Sequence, residues 1–190
     1  GTGCMVITRD PDEGWVNFAA QRVQVHDKNT ATVLMNIGRH NRIIRDKYWA
    51  RGQNCPVAVA CGQEPMLWAA ATFNIPWGLS EYDYTGWLRG KPVEVIRGPT
   101  TGLPIPATAE IVLEGEILPP QVETRDEGPF GEWPGYYISG SRQEAAFKVK
   151  AILHRNSPII QGNPPLIPYA ATSLGYSQRR AAVVWEELDR

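Results

Sequence analysis

The chain has 190 residues, 43% of them hydrophobic, and its 19 Lys+Arg nearly balance its 20 Asp+Glu. This length supports one domain with a substantial core, and the balanced charge excludes a surface that binds nucleic acid through net charge. No apolar run is long enough to cross a membrane. From the balanced charge we expect no nucleic-acid partner, and from the lack of such a run we expect no membrane. Three cysteines without CxxC spacing, Cys4, Cys55 and Cys61, indicate a reduced, cytoplasmic protein.

Short β-type runs dominate the chain. In order they are CMVIT, RVQVHD, ATVLMNI, PVAVACG, PVEVIR, EIVLEGEIL and FKVKAIL, and several show the period-two alternation of a half-buried strand. Helices are predicted at 41–50, at 64–73 with Pro65 in the first turn, and after the N-caps Ser80 and Ser177. This order predicts an α+β domain built around an antiparallel sheet or a small barrel.

The segment TRDEGPFGEWPGYY, residues 124–137, places three acidic side chains among glycines and prolines. Glycine and proline favour turns, so the sequence predicts that the carboxylates lie on a shaped loop. Two of them, Glu127 and Glu132, are five positions apart and could act as a general acid and its partner. From the residues alone, a solvated acidic loop and a glycosidase-type carboxylate pair both remain open.

Four further residues could bind ligands. Asn17 and Arg22 are the first and last residues of the run NFAAQR; an amide oxygen can ligate a hard cation, and a guanidinium can hold a carboxylate or phosphate. His40 precedes a predicted helix, and Glu81 follows the capping Ser80. Taken singly, the four residues have ordinary structural interpretations. They could be, in order, a turn asparagine, an edge-strand arginine, a packing histidine and a first-turn acid.

Six candidate side chains occur along the chain in the order Asn17, Arg22, His40, Glu81, Glu127 and Glu132. Together with PVAVACGQEP, SEYDYTGWLRGKPVEV, AEIVLEGEI and EGPFGEWPGYY, this order closely resembles the UbiD family of decarboxylases that depend on prenylated flavin mononucleotide (FMN). The resemblance runs from about residue 2 to 137 and more loosely to 161. It implies a carboxy-lyase whose fold is mainly an antiparallel split β-barrel of the flavin-reductase type, flanked by helices.

The resemblance also implies a catalytic set. Arg22 would hold the substrate carboxylate and pair with Glu127, and Glu132 would transfer the proton. This division of roles is chemically reasonable, because decarboxylation leaves a carbon that must be protonated and a departing carboxylate that a cation must hold.

The implied metal ligands are Asn17, His40 and Glu81, which would join Mn²⁺ or Mg²⁺ to the flavin phosphate. A K⁺ ion would be bound by backbone carbonyls near Phe18, residues 72–75 and Glu81. The implied contacts to the prenylated FMN are Thr2, Ala19, Ala20, Gln21, Arg22, Arg39, His40 and Ile75.

The implied reaction is the reversible, non-oxidative decarboxylation of an aromatic or α,β-unsaturated carboxylic acid, which releases CO₂. A separate flavin prenyltransferase would supply the cofactor, and the full-length protein would be a homo-oligomer. The alternative is a non-catalytic flavin- or phosphate-binding module, although the intact pair Glu127 and Glu132 argues against it.

The family has further segments on both sides of its flavin-binding domain, and the chain opens without an initiator methionine. We therefore expect residues 1–161 to be the prenylated-FMN-binding domain. Residues 162–190 would be a linker and a helix that lead toward a C-terminal domain not complete here. Such a fragment would have weak or no turnover alone, because closure of an active site over its substrate excludes water and completes the site.

Overall fold

The computed structural model describes residues 3–131, 136–137, 139–160, 162 and 171–189. The chain divides into two compact units. The first comprises Gly1–Glu127 with Gln143–Gly162, and the second comprises Gly128–Arg142 with Asn163–Arg190. The expected domain boundary between 161 and 162 stays a prediction.

Ten strands and four helices are assigned within the described residues. The strands are β1 Cys4–Arg9, β2 Val16–Gln21, β3 Val23–Val25, β4 Thr30–Val33, β5 Cys55–Cys61, β6 Val95–Arg97, β7 Pro104–Pro106, β8 Ile111–Ile117, β9 Thr124–Glu127 and β10 Arg142–His154. The helices are α1 His40–Ala50, α2 Pro65–Ala71, α3 Glu81–Arg89 and α4 Ala171–Leu188. In this part of the chain, no helix has both the length and the apolar character needed to cross a membrane.

Eight strands form one curled sheet. Its order is β2-β1-β5-β8-β10-β4-β3, with β9 paired to β10, and every pairing along that path is antiparallel. Gln21 ends β2 and Val23 begins β3, so a single residue, Arg22, separates the two strands at opposite ends of this order. The sheet must therefore curl until its end strands nearly meet, which confirms the predicted α+β fold with an antiparallel barrel.

Two hydrophobic clusters fill the two faces of this sheet. Side chains alternate across a strand, so the fully buried Val6 joins a cluster that includes Phe147 of β10. Its neighbours Met5 and Ile7 face the other way and pack in a second cluster with Leu67 of α2. Tyr82 and Tyr84 of α3 also pack against this second cluster, whereas Tyr48 and Trp49 of α1 pack against the first.

Gly115 shows why one motif carries a glycine within a strand. It lies in β8 beside β10, and a Cβ at this position would overlap the backbone carbonyl oxygen of Lys148. The pairing of the two strands shifts register between Val149 and Ala151, as an isolated glycine in a strand suggests. The glycine of EIVLEGEI is thus required by the close approach of two backbones.

Three local interpretations are wrong. Helix α4 begins at Ala171, so Ser177 is not its N-cap; the alanine at 171 and the leucine at 174 are residue types that favour a helix upstream of the serine. Asn17 is a strand residue of β2 and not a turn residue. The acidic loop begins later than predicted, because residues 124–127 form β9; pairing with a neighbouring strand outweighs the local preference.

Candidate active site

The structure forms one of the predicted catalytic pairs. Arg22 lies between β2 and β3, and Glu127 is the last residue of β9. Arg22 Nε donates to Glu127 Oε1 at 2.5 Å, and Nη2 donates to Oε2 at 2.8 Å. The two side chains are only 12% and 1% exposed. A bidentate pair with so little water contact fixes the orientation of both groups.

Two predicted metal ligands also meet. Glu81 is the first residue of α3, whose N-cap Ser80 accepts a hydrogen bond from Tyr82 N. The Glu81 carboxylate accepts from Asn17 Nδ2 at 2.5 Å and from the backbone N of Phe18 at 2.8 Å. Because β2 is the first strand in the sheet order, this carboxylate holds a backbone N–H in an end strand of the sheet.

The chemistry of these two side chains fits a hard cation. Glu81 is 4% exposed, and burial raises the pKa of its carboxyl to about 7 although the hydrogen bonds from Phe18 and Asn17 favour the ionised form. Asn17 is 1% exposed, and its Oδ1 is buried without a hydrogen-bond partner among the described residues. A buried carboxylate beside an unpartnered amide oxygen offers two oxygen ligands that a cation would satisfy.

His40, the third predicted ligand, begins α1. Its ring packs edge-on against Trp15 and Trp77, with ring centroids 5.7 and 5.1 Å away. Burial, and then the charge of Arg39, lower the pKa of the imidazole, which favours the neutral form that binds metals. In the described part of the chain, no three His, Cys, Asp or Glu side chains form a ready-made metal cluster.

The predicted cofactor contacts fall on two segments. Residues 19–21 form the second half of β2, and Gln21 Oε1 is buried without a partner in the described structure. Arg39 Nη1 donates to Asn74 Oδ1 at 2.7 Å, which links the start of α1 to the segment of the buried Ile75. The roles predicted for Thr2 and Glu132 stay predictions, because both lie outside the described residues.

Two tryptophans around His40 were not among the predicted site residues. The rings of Trp15 and Trp77 also contact each other, with centroids 4.9 Å apart, and Lys47 Nζ lies 4.8 Å from the centroid of Trp77. A signal was present, because each tryptophan stands two positions from a predicted site residue, Asn17 or Ile75.

Comparison with known proteins relates the chain to one family. The family model described as "3-octaprenyl-4-hydroxybenzoate carboxy-lyase Rift-related domain" matches residues 1–168. The pyrrole-2-carboxylic acid decarboxylase of Pseudomonas aeruginosa is 39% identical over 169 residues, which are 87% of this chain and 34% of that protein. The chain therefore spans about a third of the length of this relative.

Solved structures of related proteins support the same family and the same fold. The structure of an evolved dimeric form of the UbiD-class enzyme HmfF from Pelotomaculum thermopropionicum, in complex with prFMN, matches with a TM-score of 0.78 and 33% identity, over 84% of this chain and 36% of that one. The NADH:FAD oxidoreductase from Streptomyces globisporus matches with a TM-score of 0.54 and 15% identity, over 84% and 79% of the two chains. At that identity only the fold is shared, and it confirms the predicted flavin-reductase type of barrel.

Proposed function

The chain belongs to the UbiD family, and from this membership we propose that the full-length protein decarboxylates an aromatic or α,β-unsaturated acid reversibly and without oxidation, with prenylated FMN as its cofactor. The observation that carries the proposal is the buried, bidentate pair of Arg22 and Glu127. The relative named for pyrrole-2-carboxylic acid supports a small aromatic acid, and the solved relative in complex with prFMN supports the cofactor.

We propose that Arg22, Glu127 and Glu132 have different roles in the decarboxylation. Arginine has five N–H donors in a planar fork, so Arg22 can hold Glu127 along one edge and a substrate carboxylate along another. Glu127 keeps the guanidinium in one orientation. Prenylated FMN supplies an electron sink for the bond that breaks when CO₂ leaves. Glu132 protonates the remaining carbon, a role supported by its place in the EGPFGE motif.

Asn17, His40 and Glu81 would hold Mn²⁺ or Mg²⁺ beside the flavin phosphate. The unpartnered Asn17 Oδ1 and the buried Glu81 carboxyl support this assignment, because a divalent cation would favour the ionised carboxylate and offset the phosphate charge. Backbone carbonyls near Phe18 and residues 72–75 would hold K⁺. The contacts predicted for the flavin belong to the same proposal.

The proposal includes the partners of the reaction. A flavin prenyltransferase supplies the cofactor, the full-length protein is a homo-oligomer, and no nucleic acid takes part. Residues 1–161 are the cofactor-binding domain, and residues 162–190 lead toward further segments. The proposal includes a cytoplasmic location, which the odd number of cysteines and their lack of CxxC spacing support.

The test is to co-express the full-length gene with a flavin prenyltransferase and to measure CO₂ release from aromatic and acrylic acids, with pyrrole-2-carboxylate among them. We expect release from at least one acid. A protein that retains the flavin but releases CO₂ from no acid would instead be the non-catalytic binding module.

Three neighbouring acids give matched variants. Glu127→Gln and Glu132→Gln should retain the flavin absorbance but lower CO₂ release by roughly 100-fold or more, as expected when a proton-transfer residue or its charged partner is lost. Asp126→Asn should leave the rate unchanged, because Asp126 is exposed and accepts its hydrogen bond from Gln143. Equal losses in all three variants would refute the assigned roles.

A further inference from the structure

Two of the three cysteines face each other across neighbouring strands. Cys4 in β1 is paired directly with Cys61 in β5, and their Sγ atoms are 3.5 Å apart. Directly paired residues of antiparallel strands have Cα atoms about 4.5–5.5 Å apart, within the range that a disulfide spans. The backbone therefore already has the spacing that an S–S bond requires.

The two thiols differ in exposure and in pKa. Cys61 is half-buried and so reachable from solvent, whereas Cys4 is 4% exposed. The hydrogen bond between the two sulfur atoms lowers the pKa of the Cys4 thiol and, together with burial, raises the pKa of the Cys61 thiol, so the thiolate, which is the nucleophilic form of cysteine, forms at Cys4. The third cysteine, Cys55, is fully buried in the same strand as Cys61, and burial raises the pKa of its thiol.

We propose that Cys4 and Cys61 form an oxidation site that closes to an intramolecular disulfide when the chain meets a peroxide. One thiolate attacks the peroxide, so that an S–O bond forms, the O–O bond breaks, and a sulfenic acid and water result. The second thiol attacks the sulfenic sulfur, the S–S bond forms, and the hydroxyl group leaves as a second water. Two thiols lose two electrons and two protons, and one hydrogen peroxide is reduced to two waters.

The disulfide would constrain the sheet beside the candidate active site. Cys4 is also paired across β1 and β2 with Gln21, the residue before Arg22. The bond would join positions 57 residues apart, and closing such a loop lowers the entropy of the unfolded chain. We expect the melting temperature of the oxidised chain to exceed that of the reduced chain by roughly 5–10 °C.

The test treats the reduced 190-residue chain with hydrogen peroxide under native conditions. Free thiols should fall from three to one, and dithiothreitol should restore them. Mass spectrometry should find a link between the peptides that contain Cys4 and Cys61. Trypsin leaves Cys55 and Cys61 on one peptide, because no Lys or Arg lies between them; the Cys55→Ser variant, which should keep the link, therefore identifies the partner.

The unsubstituted chain decides the outcome even if a variant fails to fold. A disulfide between two chains, oxidation of Cys4 or Cys61 to a sulfinic acid without the link, or three intact thiols would each overturn the proposal. Cys61→Ser should abolish the link. An oxidised chain that melts no higher than the reduced one would refute the expected stabilisation.

Discussion

Arg22 is a single residue with two structural tasks, since it connects the end strands of the curled sheet and neutralises Glu127. Arg22→Ala should destabilise the fold by roughly 3–5 kcal/mol, because it leaves a buried carboxylate without its cation. Urea unfolding measures this loss. The matched control is Arg42→Ala, whose partner Asp46 is far more exposed; this variant should lose about 0.5 kcal/mol or less. Similar losses in both variants would show that burial of the Glu127 pair is unimportant.

Glu81 should make the metal-free chain less stable as the pH rises from about 4.5 to about 7. The folded state holds the pKa of this carboxyl at about 7, against an ordinary value of 4.5. Within that window the folded chain binds more protons than the unfolded chain, so the free energy of unfolding falls by roughly 3 kcal/mol and levels off above it.

Glu81→Gln tests this pH dependence. The glutamine cannot ionise, so the variant should lack the contribution while keeping a similar side-chain size. Urea unfolding at pH 5 and pH 7.5, in buffer with a chelator, gives the difference for each protein. Equal differences in both proteins would show that Glu81 ionises normally in the fold.

At the scale of elements, β8 carries two acids with different environments. Glu114 is fully buried and accepts hydrogen bonds from the backbone of Thr100 and Thr101, so it anchors the turn before β7. Glu116 is partly exposed and pairs with Lys150. Glu114→Ala should cost roughly 1.5–3 kcal/mol and expose the two amides to hydrogen exchange.

Glu116→Ala is the control for that variant. It should cost about 1 kcal/mol or less, because exposed ion pairs contribute little, and it should leave exchange at residues 100 and 101 unchanged. If the two variants lost equal stability, the anchor assigned to Glu114 would be wrong.

Local signals predicted the elements that local interactions stabilise. Ser80 marked the start of α3, and Pro65 marked the start of α2. Strand β2 was missed because Val16 is the only β-branched residue of VNFAAQ, which becomes a strand through pairing with β1. Strand β9 was missed because its sequence TRDE is almost entirely polar and becomes a strand through pairing with β10.

The candidate site was predictable as a set of residues but not as contacts. The order of motifs identified Arg22 and Glu127, yet they are 105 positions apart, and no spacing rule predicts that they meet. The bonds from Asn17 and Phe18 to Glu81 likewise depend on the packing of α3 against the sheet edge. The residue types reveal possible chemistry, while long-range pairing decides which side chains share a site.

At the scale of the whole molecule, the hydrophobic clusters identify the part of the chain that should fold alone. Among the residues that the structure describes, every member of both clusters lies within the unit formed by Gly1–Glu127 and Gln143–Gly162. The described side chains at 180–189 are exposed, with Trp185 70% exposed. Burial of apolar surface is the main favourable contribution to folding, so residues 163–190 should contribute little to the stability of this unit.

A shortened chain of residues 1–162 should unfold cooperatively and melt within about 3 °C of the 190-residue chain, a shift equivalent to roughly 1 kcal/mol or less. Phe147→Ala in the shortened chain should cost roughly 3–5 kcal/mol, because it empties a fully buried position in the cluster that includes Val6. Calorimetry and urea unfolding measure both effects. A shortened chain that melts much earlier, or without a cooperative transition, would show that residues 163–190 stabilise the barrel.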